Sequence, residues 1–411
     1  MSVDFFDALE AREAARREAA LMAALPLQVA HAQTSSPAYS ELLAGIDAAG
    51  IVSRAALATL PLTRKSSLAA AQAARRALRL GGYAAGTPRR IFQSPGPLYE
   101  PEPVAEGADP WRIARALHAA GVRAGQLAHV GFSYHLTPAG AMMEAGLRAL
   151  GAASFPGGVG NTEQQLQALL DLQPEAYAGT PSLLRILLDK AAEGGHALPG
   201  LRRALVSGEA CPPALVAWFA ERGVDVYQCY ATADLGLIAY ETAAREGLVV
   251  DEGVIVEIVR PGSGDPVPDG EVGEVVVTTL SPGYPLIRFA TGDLSAVLPG
   301  PSPCGRTNWR LRGWLGRADQ SAKVRGMFVH AGQVADILKR HPELRRARLV
   351  VSGELARDHV VLQIEVTSTL PEAFVESLMQ TARDLTKLRV EVEALPSGSL
   401  PNDGKLIEDR R

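Results

Sequence analysis

Residues 175–206 read EAYAGTPSLLRILLDKAAEGGHALPGLRRALV, and the fold prediction depends on this stretch. It begins with a strand-like segment at 175–179, continues with a helical segment at 181–193, and ends with a strand-like run from Arg203 to Val206. Strands that alternate with helices of about ten to fifteen residues indicate a parallel sheet covered on both faces. The stretch therefore predicts an α/β architecture.

The same alternation extends outward on both sides, from Asp109 to about Leu280. It predicts further helices and strands, namely helices at 110–121, 139–150, 162–172 and 212–222 and strands at Leu127–Phe132, 152–155 and Val224–Tyr230. Upstream, the Ala-, Leu-, Glu- and Arg-rich residues 3–24 predict a helix, and 36–80 predict shorter helical pieces. These upstream segments indicate a helical region that precedes the sheet.

The pattern becomes β-rich after Asp251. Period-two alternation at 254–259 and 274–278 predicts two antiparallel hairpins or a small barrel. A Pro- and Gly-rich break at 299–303 precedes a last segment of mixed β and α character, with elements expected at His359–Val366, 370–385 and Leu388–Leu395. We place the domain boundary at about Gly316.

The composition is that of a globular protein with more than one core. The chain has 411 residues, more than the roughly 250–300 at which a single core stops growing. Its net charge of −4 gives no concentrated basic surface for nucleic acid. The acidic N-terminus is unlike a secretory signal, and no apolar stretch approaches the roughly 20 residues that span a bilayer. We therefore expect a cytoplasmic protein without nucleic-acid or membrane partners; a homodimer stays open.

Five short motifs follow one another in the second half of the chain. They are SGEACP at Ser207–Pro212, YATAD at Tyr230–Asp234, LIRFATGDL at Leu286–Leu294, GRADQSAKVRG at Gly316–Gly326 and GSLPNDGK at Gly398–Lys405. In the first motif, a strand that ends at a glycine before a helix brings backbone donors to the edge of the sheet where α/β proteins bind ligands.

In this order the motifs resemble those of phenylacetate-CoA ligases and, more loosely, of the adenylate-forming, AMP-binding acyl-CoA synthetase family. The resemblance covers about residues 85–411. It implies an α/β fold with a large N-terminal AMP-binding and acyl-binding domain at 1–315, built of mostly parallel sheets and a small β-rich subdomain, and a small mobile α+β C-terminal domain at 316–411. ATP, Mg²⁺ and CoA are the implied cofactors, and a small carboxylic acid is the implied partner.

The resemblance assigns the nucleoside to residues of the N-terminal domain. Gly208, Glu209 and Ala210 would lie flat against the adenine ring, and Tyr230 would stack on it. Asp293 would accept both ribose hydroxyls, a bidentate contact that fixes the nucleoside.

The resemblance also assigns the phosphate chemistry and the domain movement. Asp234 would bind Mg²⁺, which prefers oxygen ligands, and Arg317 would contact ribose or phosphate. Asp319 would be the hinge, since large backbone changes fall on a few residues at domain boundaries, and Gly326 would lie where the backbone passes the pantetheine arm. Lys405 would bridge the carboxylate and the α-phosphate, where negative charge develops.

The phosphate loop departs from the family pattern. The family reads S-S-G-T-T-G-K-P where this chain has SPGPLYEP at Ser94–Pro101. Ser94 and Gly96 are kept as candidate nucleotide contacts, but prolines remove amide donors and Glu100 replaces the lysine. We expect such a loop to repel a polyphosphate, unless charge comes from elsewhere, for example from the arginines at 89–90.

The acyl pocket is expected around three residues. Phe132, Tyr134 and Thr180 stand in segments that resemble those lining the aryl site of the family, and they would form an apolar slot of aryl size.

The sequence thus predicts an acid-thiol ligase that converts an arylacetic or benzoic acid to an acyl-adenylate and then to a CoA thioester. The degenerate loop leaves an alternative open, a protein of the same fold that binds AMP or acyl-CoA without making the adenylate. Transfer to a carrier protein also stays open, because the acceptor leaves no motif.

Overall fold

The computed structural model describes residues 4–94, 97–103, 107, 109–260, 263–315, 317–318, 321–324, 327–353, 358–366, 370–401 and 405–411. The chain divides into two compact units, Met1–Leu315 and Gly316–Arg411, and each has its own hydrophobic core. Among the described residues, no helix is both long and apolar enough to cross a membrane.

The first unit opens with a helical region. Its elements are α1 (Ala14–Ser35), α2 (Pro37–Leu42), α3 (Arg54–Ala58), β1 (Thr63–Arg64), α4 (Lys65–Ala74), β2 (Ile91–Ser94) and β3 (Leu98–Pro101), with 3-10 turns at Ala8–Ala11, Ala48–Gly50 and Arg79–Gly82. The predicted helix at 3–24 was wrong in its bounds, because α1 begins later and continues through Pro26. Apolar residues keep the helical spacing beyond residue 24, and Leu25, Val29 and Ala32 are fully buried.

The predicted alternation of helices and strands is confirmed. The elements are α5 (Ile113–Ala119), β4 (Leu127–Gly131), α6 (Ala139–Leu150), β5 (Ala153–Phe155), α7 (Thr162–Leu172), β6 (Ala176–Gly179), α8 (Pro181–Glu193), β7 (Arg203–Val206), α9 (Pro213–Ala220) and β8 (Asp225–Thr232). The five strands pair in parallel in the order β5-β4-β6-β7-β8. Parallel neighbours place all their carboxyl ends at one edge of the sheet.

The β-rich region extends this sheet and builds a second one. Its strands are β9 (Gly236–Glu241), β10 (Leu248–Val250), β11 (Val254–Val259), β12 (Gly273–Thr279), β13 (Phe289–Ser295), β14 (Val297–Leu298) and β15 (Arg310–Leu311). The large sheet has nine strands in the order β14-β15-β10-β9-β8-β7-β6-β4-β5. The second sheet has the order β1-β13-β12-β11. The expected antiparallel hairpins form, because β11 pairs with β12 and β12 with β13 in antiparallel register. The expected alternative of a barrel does not form, and β1, from the helical region, pairs in parallel with β13 at the edge of an open sheet.

Arg288 joins the helical region to the second sheet. Its guanidinium group is buried, donates to the backbone oxygens of Ala58 (2.8 Å), Leu60 (2.6 Å) and Gly264 (2.8 Å), and pairs with Glu257 at 3.1 Å. A buried cation is stable only when its donors are satisfied, and this one gains four acceptors from three segments. The contact holds the N-terminal region against the sheet.

The second unit is α+β. Its elements are β16 (Ser321–Val324), β17 (Met327–His330), α10 (Ala331–Arg340), β18 (Ala347–Ser352), β19 (His359–Val366), α11 (Glu372–Thr386), β20 (Glu391–Pro396) and β21 (Ile407–Asp409). The main sheet has the order β20-β19-β18-β21. The last predicted strand starts later than expected, because the chain leaves α11 through Lys387 in a left-handed conformation before β20 begins.

Candidate functional site

The carboxyl ends of β4, β6 and β7 bring three predicted site residues together. Phe132 follows β4, Thr180 follows β6, and Gly208 lies two residues after β7. A Cβ atom on Gly208 would lie 3.5 Å from Cε1 of Phe132 and 4.0 Å from Cγ2 of Thr180. Two residues predicted for the acyl pocket therefore border one predicted for the adenine turn.

The turn after β7 combines a left-handed glycine with a hydrogen bond to β8. Gly208 has a φ of +80°, a left-handed conformation that favours glycine. Ser207 donates its hydroxyl to the backbone oxygen of Cys229 at 2.8 Å and ties the turn to β8. Glu209 is half-buried and Ala210 is exposed. The exposed backbone of the turn is thus open to a flat ligand.

Asp293 accepts hydrogen bonds on both carboxylate oxygens from aromatic side chains. Tyr230 donates its hydroxyl to Oδ2 at 2.8 Å, and Trp314 donates Nε1–H to Oδ1 at 3.0 Å. The backbone N–H of Asp293 donates to Oγ1 of Thr291 at 3.1 Å. From the sequence, Tyr230 was expected to stack on adenine. In the structure its hydroxyl also orients the Asp293 carboxylate. A carboxylate has about four lone-pair positions, so further donors can still bind.

A second carboxylate cluster lies at the start of α4. Glu100 and Asp234 are only 1% and 4% exposed. The Lys65 ammonium donates to Oδ2 of Asp234 at 3.1 Å and lies 3.7 Å from Oε1 of Glu100. Ser94 donates its hydroxyl to the same Oε1 at 2.6 Å. Two buried carboxylates therefore share one lysine.

The other oxygen of each carboxylate is buried, and the two carboxyl groups are hydrogen-bonded to each other. Oε2 of Glu100 and Oδ1 of Asp234 accept from no N–H, ammonium or hydroxyl donor among the described residues. Burial raises the pKa of the Glu100 carboxyl well above its ordinary value, the Asp234 charge raises it further, and Lys65 lowers it. Mg²⁺ takes oxygen ligands from one or two carboxylates together with substrate phosphates. Carboxylates are ligands of the type that this ion takes, although the described residues contain no cluster of three or more metal-binding side chains.

The phosphate loop does not have the arrangement that the sequence predicted. Glu100 was expected to face a polyphosphate and repel it; instead its side chain is buried beside Lys65 and Asp234. The Ser94 hydroxyl donates its proton to Glu100. Gly96, the other predicted loop contact, lies outside the described residues.

Sequence reasoning missed Lys65 and Trp314. Strand β1 pairs with β13 in the register Thr63–Phe289, which places Lys65 close to the strand that carries Asp293. A single lysine at a helix start carries no motif, and the pairing joins segments more than 200 residues apart. Trp314 is exposed and precedes the unit boundary, again without a pattern that indicates a partner.

Tyr134 lies on the glycine-rich side of the same sheet edge. A Cβ atom on Gly140 would come within 2.8 Å of the Tyr134 ring, and one on Gly158 would lie 4.0 Å from it. The ring thus occupies the space that these two glycines leave open. It packs against the core that contains Phe132.

Two of the predicted residues of the second unit are described. Lys405 is exposed, and its backbone oxygen accepts a hydrogen bond from Nε of Arg348 at 3.2 Å. Arg317 is half-buried. Asp319 and Gly326 lie outside the described residues.

Comparison with known proteins yields one family and several relatives. Residues 158–284 match the family described as AMP-binding enzyme. Phenylacetate-coenzyme A ligase of Thermus thermophilus is 29% identical over 419 aligned residues, covering 92% of this chain and 92% of that one. The Aromatoleum evansii protein of the same name is 29% identical over 368 residues, covering 85% and 81%.

Solved structures show the same fold. A crystal structure of 2-hydroxyisobutyryl-CoA ligase, in complex with 2-HIB-AMP and CoA in the thioesterification state, aligns with a TM-score of 0.79 and 25% identity. The alignment covers 97% of this chain and 91% of that one. The similarity therefore extends far beyond the matched family segment.

Proposed function

We propose that this chain, a phenylacetate-CoA ligase-like member of the adenylate-forming, AMP-binding acyl-CoA synthetase family, activates an aryl carboxylic acid with ATP and transfers the acyl group to CoA. In the first half-reaction the carboxylate attacks the α-phosphorus of ATP and pyrophosphate leaves. In the second, the CoA thiol attacks the acyl carbon and AMP leaves.

The observation that carries the proposal is the Tyr230–Asp293–Trp314 group. Two neutral aromatic donors fix the Asp293 carboxylate without cancelling its charge, which leaves it pre-organised to accept two ribose hydroxyls. Bonds from hydroxyls to a charged acceptor are about twice as strong as neutral ones. Asp293 therefore anchors the nucleoside, and Tyr230 lies next to it for the adenine ring.

The acyl group is assigned to the space in front of the Gly208 turn. Phe132 supplies an apolar face there, and Thr180 borders it on the other side. Because the same glycine is assigned to adenine, the acid and the nucleotide would meet at this turn. Tyr134 is placed further along the same edge and would limit the length of the acid.

We assign the remaining chemistry to the second unit on the basis of its motifs. Lys405 bridges the acid carboxylate and the α-phosphate, and Arg317 contacts ribose or phosphate. Asp319 is the hinge for the second half-reaction, and Gly326 passes the pantetheine arm.

The experiment that tests this function is ATP–pyrophosphate exchange with Mg²⁺ across arylacetic, benzoic and short aliphatic acids. We expect exchange with at least one aryl acid, followed by thioester formation when CoA is added. Exchange only with aliphatic acids would overturn the aryl assignment, and exchange with no acid would overturn the adenylation step.

A second function is favoured by one observation, the Ser94–Glu100 hydrogen bond. It engages the loop hydroxyl with the protein itself, which suits a protein that binds AMP or an acyl-adenylate and does not bind ATP. Calorimetry with AMP, ATP and acyl-CoA separates the two: the ligase binds all three, whereas the binding protein does not bind ATP.

A further inference from the structure

We propose that Arg346, Arg348 and Glu365 are positioning residues for Lys405. Together they bind the backbone of the segment that carries Lys405 and thereby determine where its ammonium can reach. Arg348 lies in β18, Arg346 immediately precedes that strand, and Glu365 lies in β19. The proposal rests on the proposed function, in which Lys405 binds the acid carboxylate and the α-phosphate.

The segment that carries Lys405 connects β20 to β21 and spans residues 397–406; we call it the lysine loop. Its two flanking strands are the outer strands of their sheet, which has the order β20-β19-β18-β21. Strand β19 is antiparallel to β18 and parallel to β20, and β21 is parallel to β18. The loop therefore crosses the end of the sheet at which β19 ends and β18 begins.

Arg346 and Glu365 bind the first half of the lysine loop. Arg346 donates to the backbone oxygen of Leu400 at 3.0 Å and to that of Pro401 at 2.7 Å. Glu365 accepts from the backbone N–H of Leu400 at 2.8 Å and lies 3.4 Å from Arg346. The bond from Leu400, together with one from the backbone of Gly398, lowers the pKa of the Glu365 carboxyl. Both backbone groups of Leu400 thus have a charged partner.

Arg348 joins the two halves of the lysine loop. Its Nη2 donates to the backbone oxygen of Pro401 at 3.3 Å, and its Nε donates to that of Lys405 at 3.2 Å. The side chain is buried, and Glu408 accepts from its Nη1 at 3.2 Å. Because a guanidinium group is planar and presents its donors in a fixed fork, it sets the separation of the two backbone oxygens.

The position of the Lys405 backbone matters because the side chain is exposed, so its reach depends on where the backbone holds it. Gly398 takes a left-handed φ of +85° with open space around it, and glycine loses more conformational freedom on folding than other residues. The contacts of the two arginines offset that cost. A displacement of about 1 Å in a catalytic group can lower the rate on the order of 10²-fold. The arginines therefore act on adenylation through Lys405.

The main test is Arg348→Met, which keeps an unbranched side chain and removes the donors. With the aryl acid that best supports ATP–pyrophosphate exchange, kcat for exchange should fall on the order of 10²-fold. Thioester formation from the supplied acyl-adenylate should not change, whereas a merely structural role would lower both half-reactions. In a Lys405→Ala background, Arg348→Met should cause no further loss of exchange, because residues that act through one group are not additive.

Arg346→Met guards against misfolding of the buried variant, because the Arg346 side chain is 36% exposed. It should lower exchange in the same selective way. Arg410→Met is the matched control, since Arg410 pairs at 3.0 Å with Glu408, the carboxylate that Arg348 also binds. Exchange should not change in that variant.

A measurement without substrate separates the possible outcomes. The Leu400 amide should exchange its hydrogen faster in Arg348→Met and Arg346→Met than in the wild type or Arg410→Met. Unchanged amide exchange, equal loss in both half-reactions, or an additive loss in the double variant would each overturn the proposal. Failure of the proposed function would look different: the Leu400 amide would exchange faster as expected, while Lys405→Ala kept full pyrophosphate exchange or no acid supported it.

Discussion

The hydrogen bonds of Asp293 differ from those of the Glu100–Asp234 pair in the same unit. Asp293 accepts from two neutral aromatic donors, so each of its oxygens has a partner. Glu100 and Asp234 share one ammonium, and their other oxygens accept from no N–H or hydroxyl donor among the described residues. The first arrangement is complete and ready to accept neutral hydroxyls; the second lacks positive charge. In the proposed function, Asp293 belongs to the nucleoside end of the site and the Glu100–Asp234 pair to its phosphate end.

The largest expected effect belongs to the phosphate end. Lys405→Ala should lower adenylation by roughly 10²–10³-fold, as removal of one transition-state donor does. Adenosine affinity should not change, because the nucleoside end is untouched. Pyrophosphate exchange and calorimetry with adenosine measure the two effects.

Lys339→Ala is the control for this variant, since Lys339 is an exposed lysine of the same unit that pairs with Asp336. Thioester formation from a supplied acyl-adenylate should survive in Lys405→Ala. Equal loss in both half-reactions would remove the assigned role.

The nucleoside end is tested by Asp293→Asn. The change removes the charge that accepts the ribose hydroxyls, and bonds to charged groups contribute about 1.5–3 kcal/mol. We expect AMP and adenosine to weaken by the same factor, roughly 10–100-fold, by calorimetry. A loss of affinity confined to AMP would place Asp293 beside the phosphates and contradict its assignment to the nucleoside.

Glu100→Gln should stabilise the protein at high pH. The pKa of Glu100 is raised in the folded state, so the folded chain holds a proton that the unfolded chain releases near pH 4.5. The unfolding free energy of the wild type therefore falls as pH rises above that value. Glutamine does not titrate and can donate to Asp234.

We expect Glu100→Gln to gain roughly 1–3 kcal/mol over the wild type at pH 8 in EDTA, the cost of an unsatisfied buried group, and nothing at pH 4. Denaturant unfolding at both pH values measures it. A pH-independent difference would mean that packing, and not charge, causes the effect.

The smallest effect is expected at the turn between acid and adenine. Gly208→Ala places a Cβ in ordinary contact with Phe132 but in a left-handed backbone, which costs roughly 1–2 kcal/mol. Thermal unfolding should show this loss, and KM for the aryl acid should rise more than KM for CoA. Gly223→Ala, also left-handed but with open space around it, is the control for backbone strain alone.

Helix bounds were predicted most accurately where the residues that determine them lie within one segment. The helices at 139–150, 162–172 and 181–193 have the predicted bounds, because their apolar spacing and end residues lie within one segment. It was weaker for α1, where burial of one face outweighs the penalty of Pro26 inside the helix.

The candidate site shows the same limit. Motif order selected Tyr230 and Asp293, but their hydrogen bond depends on strands from distant parts of the chain. Lys65 reaches the site only through the pairing of β1 with β13, which no local pattern encodes. Burial of Glu100 likewise depends on α4 and on the turn after β8, so a substitution that reads as repulsive in sequence has a different environment in the fold.

The Arg288 contact has a consequence for synthesis on the ribosome. Arg288 lies 230 residues after Ala58, whose backbone oxygen it binds. At about 5–20 residues per second, a nascent chain needs roughly 10–50 s to make that partner after Ala58 has been added. Throughout that interval the apolar face of α1 has no complete second sheet to cover it, so that face stays exposed until β13 has been made.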